Sequence, residues 1–382
     1  MNSTIGERSE PALRALGTAS NPHQRRIYTF GVGHDVNAPL LDGLAAASRA
    51  KANYVQPEED VEARVSEVFR ALRGPVFTSL ALEILDEQGQ PDTQLLTEIL
   101  PAALPDLYAG DELSLFGRFR EQRGVAFRVR GDYLGAPRTF EFRFDLHRNS
   151  VANSFVPRLW ASRRVALLID EARGAGAQAQ ANDPRTTELV QEITKLSTQY
   201  GIMTEYTSFL ALEGTPLLQQ ESVLAQVRAN LRDQGQLQRS GRAAVNQSVN
   251  NQRRVAQAQL NRANRMYDPQ GKQVQFSGVQ QFGGRTFFKR GETWVDARVV
   301  ALGAAAKIDR QIEFGSTDHR ALLGMLEASR QQAALSMAGD IVLQQDGHVF
   351  YVRRPPAVAS AAPATPAAPT PAAAAVPASA GA

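Results

Sequence analysis

Arg26-Ile27-Tyr28-Thr29-Phe30-Gly31-Val32-Gly33 is a short β-branched and aromatic run closed by glycines, a pattern that predicts a buried strand. A helix should follow. Asn37 can cap free amides, Pro39 suits a first turn, and Leu40, Leu41, Leu44 and Ala47 recur at helical spacing. Ala52-Asn53-Tyr54-Val55 reads as a second strand. Pro57, Glu58, Glu59 and Asp60 then place negative charge at a helix start, and Val61, Val65, Val68, Phe69 and Leu72 form an apolar stripe that Gly74-Pro75 ends. Strand, helix, strand, helix over residues 1–74 predicts the end of a doubly wound α/β sheet.

Outward from there the period changes. Val76, Thr78, Leu80, Leu82 and Ile84 alternate on one strand face, Val125, Phe127 and Val129 on a second, and Phe140, Phe142, Phe144 and Leu146 on a third. Glu87-Gln88-Gly89 and Tyr108-Ala109-Gly110-Asp111 supply turns, so an antiparallel β-domain is expected, completed by a helical hairpin and spanning 75–213. The first hairpin helix carries Leu159, Trp160, Leu167 and Leu168. The second opens at Asp183-Pro184, buries Leu189, Val190, Ile193, Leu196 and Tyr200, and ends at Gly201; Thr204 to Glu213 then alternates like a returning strand. Residues 214–272 are rich in Gln, Asn, Ala and Arg, which predicts a helix or linker with a weak core-forming role. A small β module over 273–353 rests on two hairpins. One is Thr286-Phe287-Phe288 with Thr293-Trp294-Val295, and the other pivots on Asp346-Gly347. The Ala/Pro segment 354–382 has almost no charge and should be a disordered tether. The fold class is α+β and multidomain.

Composition narrows the function classes. Lys+Arg 42 against Asp+Glu 39 leaves +3 over 382 residues, too small an excess to imply general polyanion binding. Zero cysteines exclude disulfides, thiolate metal sites and thiol nucleophiles. No run approaches the roughly 18 apolar residues of a membrane span. Met1 to Leu16 lacks the apolar stretch of a signal peptide, so no export signal is expected in the chain as written.

These blocks, in this order, resemble the C-terminal part of proteins that join a vault/inter-α-trypsin (VIT) domain to a von Willebrand factor type A domain, as in inter-α-trypsin inhibitor heavy chains and their bacterial relatives. Ile27 to Asn37 is similar to the fifth strand of the type A domain and the helix start after it, and Tyr54 to Asp60 to its last strand and final helix start. Leu107-Tyr108-Ala109-Gly110-Asp111-Glu112-Leu113, Phe116-Gly117-Arg118-Phe119, Leu159-Trp160-Ala161, Leu196 to Ile202 and Thr207-Ser208-Phe209-Leu210 resemble the segments that follow. The resemblance runs from about Ser3 to Glu213, with a looser echo at Phe287 to Asp296. It implies a non-enzymatic protein-interaction or adhesion-type module with a protein partner, and an exported location, periplasmic or at the cell surface, if a preceding segment carries a signal.

The departure from that pattern is specific. A complete type A domain would hold a divalent cation, Mg or Ca, through an Asp-x-Ser-x-Ser loop whose oxygens converge with those of later loops. No Asp-x-Ser-x-Ser occurs. Ser3-Thr4-Ile5-Gly6-Glu7 looks like the stretch past the last ligand loop, so no metal residue and no cofactor is assigned. The resemblance implies a truncated type A sheet with one edge of the Ile27 strand unpaired, and its own missing N-terminal half as one expected partner.

Other site signals are thin. His23, His34, His147, His319 and His348 have no metal-type spacing. No Gly-x-Ser-x-Gly elbow occurs, and Gly31-Val32-Gly33 lacks the rest of a phosphate-loop fingerprint, so no catalytic residue is assigned. Trp160 and Trp294 sit in apolar patterns and should be core. The concentrated charge feature is Arg228, Arg232, Arg239, Arg242, Arg253, Arg254, Arg262 and Arg265, an alternative contact site for a polyanion such as a glycan or nucleic acid. The lack of aromatic residues before Tyr267 argues against nucleic acid.

Overall fold

The computed structural model describes residues 9–57, 59–71, 74–146, 153–176 and 183–354. Ser3 to Glu7, Glu58, Leu72, His147 and the Ala/Pro tail from Pro355 lie outside them. The fold is mixed α and β with several sheets.

The first layer contains α1 (Glu10–Ala19), β1 (Thr29–Val32), α2 (Ala38–Ala47), β2 (Ala52–Val55) and α3 (Val61–Ala71). β1 and β2 run parallel, Thr29 opposite Ala52 and Val32 opposite Val55. Asn37 caps α2, its Oδ1 accepting from Leu40 N at 3.1 Å, with Pro39 in the first turn. Gly31 is required by close packing, because a Cβ there would sit 2.9 Å from the Tyr54 ring. The stripe expected to bury α3 is open instead: Val61, Val65 and Phe69 are exposed. Among the described residues β1 and β2 make a sheet of only two strands, which is too narrow to cover that helix.

Next come β3 (Phe77–Leu85), β4 (Leu96–Leu100), β5 (Phe116–Phe119), β6 (Gly124–Tyr133) and β7 (Ala136–Asp145). β3, β6 and β7 form an antiparallel sheet in that order, and β4 pairs with β5. The alternation predicted for β3 is broken by a register shift between Thr78 and Ala81, where Ser79 has φ 53° and its N–H donates to Asp106. Phe77 thereby joins Leu80 and Leu82 in one cluster. β7 has the predicted alternation, yet Phe140, Phe142 and Phe144 are exposed.

The helical layer is α4 (Val156–Gly174), α5 (Pro184–Tyr200), α6 (Gln220–Asn230), a π-helical turn at Leu231–Leu237, and α7 (Arg242–Val255). The hairpin is as expected. Asp183 caps α5 through Thr186 N, Gly201 ends it at φ 61°, and Trp160, Val165, Ile169, Leu189, Val190 and Ile193 share a core. Leu167 departs, lying on the exposed face. Thr204 to Glu213 is not a strand. Thr204 and Thr207 hydrogen-bond one another and nearby amides, which holds a turn that leads into a short 3-10 segment at Ser208–Ala211.

The weak core-forming role expected for the Gln/Arg-rich segment is overturned. α7 buries Ala243, Ala244, Val245, Asn246, Gln247, Ser248, Asn250, Asn251 and Arg254. Small side chains let its neighbours approach, and its amides find partners. Asn251 donates to Ala166 O at 2.9 Å, Gln247 to Gln234 O at 3.0 Å and Gln252 to Ala52 O at 3.1 Å. Asp42 of α2 is the meeting point. It accepts from Tyr54 Oη at 2.8 Å, from Gln252 Nε2 at 3.2 Å and from Ser248 Oγ, and Arg173 Nη1 lies 3.6 Å away. Arg173 is 2% exposed and also donates to Ala244 O at 3.2 Å and Ser248 Oγ at 3.0 Å.

The last module holds β8 (Met266–Tyr267), β9 (Gln273–Val274), β10 (Val279–Phe282), β11 (Arg285–Arg290), β12 (Thr293–Asp296), α8 (Ala297–Leu302), β13 (Arg310–Glu313), α9 (Thr317–Ala328), β14 (Asp340–Gln345) and β15 (His348–Arg353). The six-stranded sheet runs β10-β11-β12-β14-β15-β13. Both expected hairpins form, the second around Asp346 and Gly347 at positive φ, as a two-residue turn requires. Phe287 and Phe288 are both fully buried because they enter different clusters on opposite faces of β11. Trp160 and Trp294 are core, each indole N–H donating to a carbonyl, Glu98 O and Ala338 O. None of the helices among the described residues is long and apolar enough to cross a membrane.

α1 is held by Arg14, which donates to Pro39 O at 2.9 Å, and by the Glu10 carboxylate. Glu10 accepts from Arg239 Nε at 2.9 Å and from Asn37 Nδ2 at 2.6 Å. Burial alone would raise its pKa, but the hydrogen bonds from Arg239 and Asn37 outweigh that and hold it below the usual 4.5. The stabilisation is therefore complete above the unfolded-state pKa and is lost as pH falls through the lowered folded value. Glu10→Gln should destabilise the chain by roughly 1–3 kcal/mol near neutrality, and the gap from wild type should close in acid, as read from urea unfolding across pH. Asp42→Ala removes one of the two carboxylates that act on the buried Arg173 guanidinium, Asp170 being the other, and strips Tyr54, Ser248 and Gln252 of their acceptor; it should cost about 3–5 kcal/mol in the same assay.

Candidate functional site: an arginine-lined cavity

Where α4 begins, α7 ends and the chain turns through Asn261 to Met266, a cavity of about 290 Å³ opens to solvent. Arg158 occupies the first turn of α4, where the helix dipole disfavours a cation. It is held there by the C-terminus of α5. Its Nε donates to Tyr200 O at 3.1 Å, and its Nη2 donates to Gly201 O and Asn264 Oδ1, each at 3.0 Å. No carboxylate is among these partners, and its Nη1 is buried without a partner among the described residues. Burial, then the charge of Arg262, pulls the Arg158 pKa down to about 10.

Arg254 reaches the cavity from the last turn of α7. Its Nη2 pairs with Glu205 Oε2 at 3.0 Å, while its Nη1 is also buried and unpartnered. Asn264, at φ 50°, is oriented by two donors to its Oδ1, Arg158 Nη2 and Met203 N at 3.1 Å. Its Nδ2 is thus turned away from both and has no partner among the described residues. Asn250 fixes the opposite side. It exchanges hydrogen bonds with the Tyr267 backbone at 2.8 Å and donates to Glu205. Arg253 stacks 4.4 Å from the Tyr267 ring centroid at the mouth, and exposed Arg265 lines it.

The eight arginines singled out in the sequence are divided among separate places. Arg253, Arg254 and Arg265 line the cavity, and Arg262 is close enough to act on Arg158. Arg239 is turned to Glu10 and to Arg173 O, and Arg242 donates to His34 Nε2 at 3.1 Å and to Gln270 O. Arg228 is half-buried on α6, and Arg232 is exposed in the π-helical turn. Arg158, Glu205, Asn250 and Asn264 were not legible as site residues. A cation in a helix's first turn was the available signal for Arg158. Among the described residues no three His, Asp or Glu side chains converge as a metal site.

No established family profile matches the chain. It is 21% identical over 231 residues to a von Willebrand factor A domain-containing protein of Dictyostelium discoideum, 58% of this chain and 25% of that protein. It is 23% identical over 235 residues to inter-alpha-trypsin inhibitor heavy chain H4 of Bos taurus, 58% of this chain and 24% of that one. The relationship is von Willebrand factor A-like. The chain spans about a quarter of the length of these relatives, neither of which is named as an enzyme. Among solved structures, human COPII-coat protein Sec24c aligns with TM-score 0.31 and 10% identity over 92% of this chain and 49% of that one, too loose a likeness to carry an argument.

Glu205→Gln should leave the buried Arg254 guanidinium without its counter-charge. We expect a loss of about 3–5 kcal/mol in urea unfolding, with Arg254→Met/Glu205→Leu recovering most of it.

Proposed function

We propose that the chain is a non-enzymatic protein-interaction module of the VIT/von Willebrand factor A kind, without the metal-dependent adhesion residues, acting beside a polypeptide that completes its first sheet. The observation that carries this reading is the outer edge of β1. Gly33 N donates to Val55 O across the ladder, so alternation turns the amides of Phe30 and Val32 to the other side, where no strand pairs among the described residues. Parallel sheets occur almost always as wider, covered layers, and an unpaired edge is a template for another strand. The exposed Val61, Val65 and Phe69 face of α3 fits the same layer extended. The von Willebrand factor A-like relationship supports a protein as the partner.

A segment bearing further type A strands would complete that edge, whether it belongs to the same polypeptide or to a partner. An exported location follows only from likeness to bacterial proteins of this architecture. In the chain alone, hydrogen exchange at Phe30 and Val32 should be fast while Gly31 and Gly33 are protected. Co-expression with the product of the coding sequence immediately upstream should yield a complex in which Phe30 and Val32 become slow. Slow exchange at both amides in an isolated monomer would overturn the reading.

A further inference from the structure

We infer that the cavity between α4 and α7 is a binding site for a phosphate group. The inference is independent of the β1 edge and of any protein partner. Three donors decide it: Arg158 Nη1, Arg254 Nη1 and Asn264 Nδ2, each buried and each without an acceptor among the described residues. Their residues are 6%, 8% and 5% exposed, and all three line the one cavity. The remaining atoms of these side chains are anchored on Tyr200 O, Gly201 O, Met203 N and Glu205, so the unpartnered N–H groups are held in place before any ligand arrives.

Charge selects the ligand. Arg158, Arg253, Arg254 and Arg265 line the cavity, while Glu205, the carboxylate nearest them in the hydrogen-bond network, is already shared between Arg254 and Asn250. A neutral ligand would leave that excess uncompensated, and a cation would add to it. A doubly charged tetrahedral oxyanion supplies both the countercharge and several acceptors in different directions, the match for which guanidinium groups are suited. A volume of about 290 Å³ admits phosphate with a small substituent.

Asn264 provides the discriminating variant. Asn264→Asp keeps the Oδ1 that receives Arg158 and Met203, tolerates the φ of 50°, and converts the unpartnered donor into a built-in carboxylate. The experiment titrates the full chain with inorganic phosphate at constant ionic strength in chloride, by calorimetry and by thermal unfolding. Wild type should bind saturably and gain melting temperature with phosphate. Asn264→Asp should melt higher than wild type without phosphate and lose phosphate binding at least tenfold, whereas Arg228→Gln/Arg232→Gln, on α6 and the π-helical turn, should bind as wild type does. O-phosphoserine as a second probe separates sources: binding of inorganic phosphate alone assigns a free anion, and binding of both assigns a phosphate carried on a larger ligand. Absence of saturable binding by either probe, equal binding by Asn264→Asp, or loss of binding on removal of Arg228 and Arg232 would overturn the inference.

Discussion

The carboxylate of Asp42 joins the first layer to the helical layer, beside a small apolar cluster in which α2 and β2 meet α7. Tyr54 reaches it from β2, Arg173 from α4, and Ser248 and Gln252 from α7. A buried guanidinium such as Arg173 is tolerable only with its charge met and its hydrogens placed. Asp42 meets its charge while Ser248 Oγ and Ala244 O accept from its Nη2, and these contacts tie the spacing of α2, α4 and α7 together. Burial, then the neighbouring Asp42, holds the Tyr54 hydroxyl protonated far above its usual range, so it remains a donor at all physiological pH. The helix that looked least like core is central because its short amide and hydroxyl side chains are the ones this geometry can accommodate.

That constraint also explains what the sequence conveyed and what it hid. The α5 boundaries follow from Asp183 and Gly201, and the Asp346-Gly347 turn from its own chemistry, because caps and turns are local. Phe140, Phe142 and Phe144 do share a strand face, but alternation cannot say whether anything covers it. For α7 the periodicity argument fails outright. It weighs apolar side chains, and here burial is sustained by hydrogen bonds to partners as far away as Asp42 and Ala166. The cavity was half legible: Arg253, Arg254 and Arg265 stood out as charge. Asn264 and Glu205 acquire meaning only through contacts across the fold.

The α/β layer is also tied to the β-domain, by polar contacts rather than by shared core. Arg26 pairs with Asp106, which in turn receives the Ser79 amide at the β3 irregularity, and the Tyr28 and Tyr108 hydroxyls meet at 2.7 Å. Burial, followed by the Tyr108 contact, pushes Tyr28 up to about 12. The bulge in β3 thus has a structural use, since it turns a backbone donor toward the carboxylate that joins the two layers.

β7 carries the risk inherent in any open strand: a row of phenylalanines at its margin invites self-stacking into fibrillar ribbons. Its intervening positions answer that hazard. Glu141 and Arg143 alternate with the rings, Glu141 paired both with Arg143 and with Arg128 of β6, so a second copy laid alongside in parallel register would bring like charges together at both positions. The alternation that leaves the aromatic rings uncovered thereby also supplies charges that oppose such stacking.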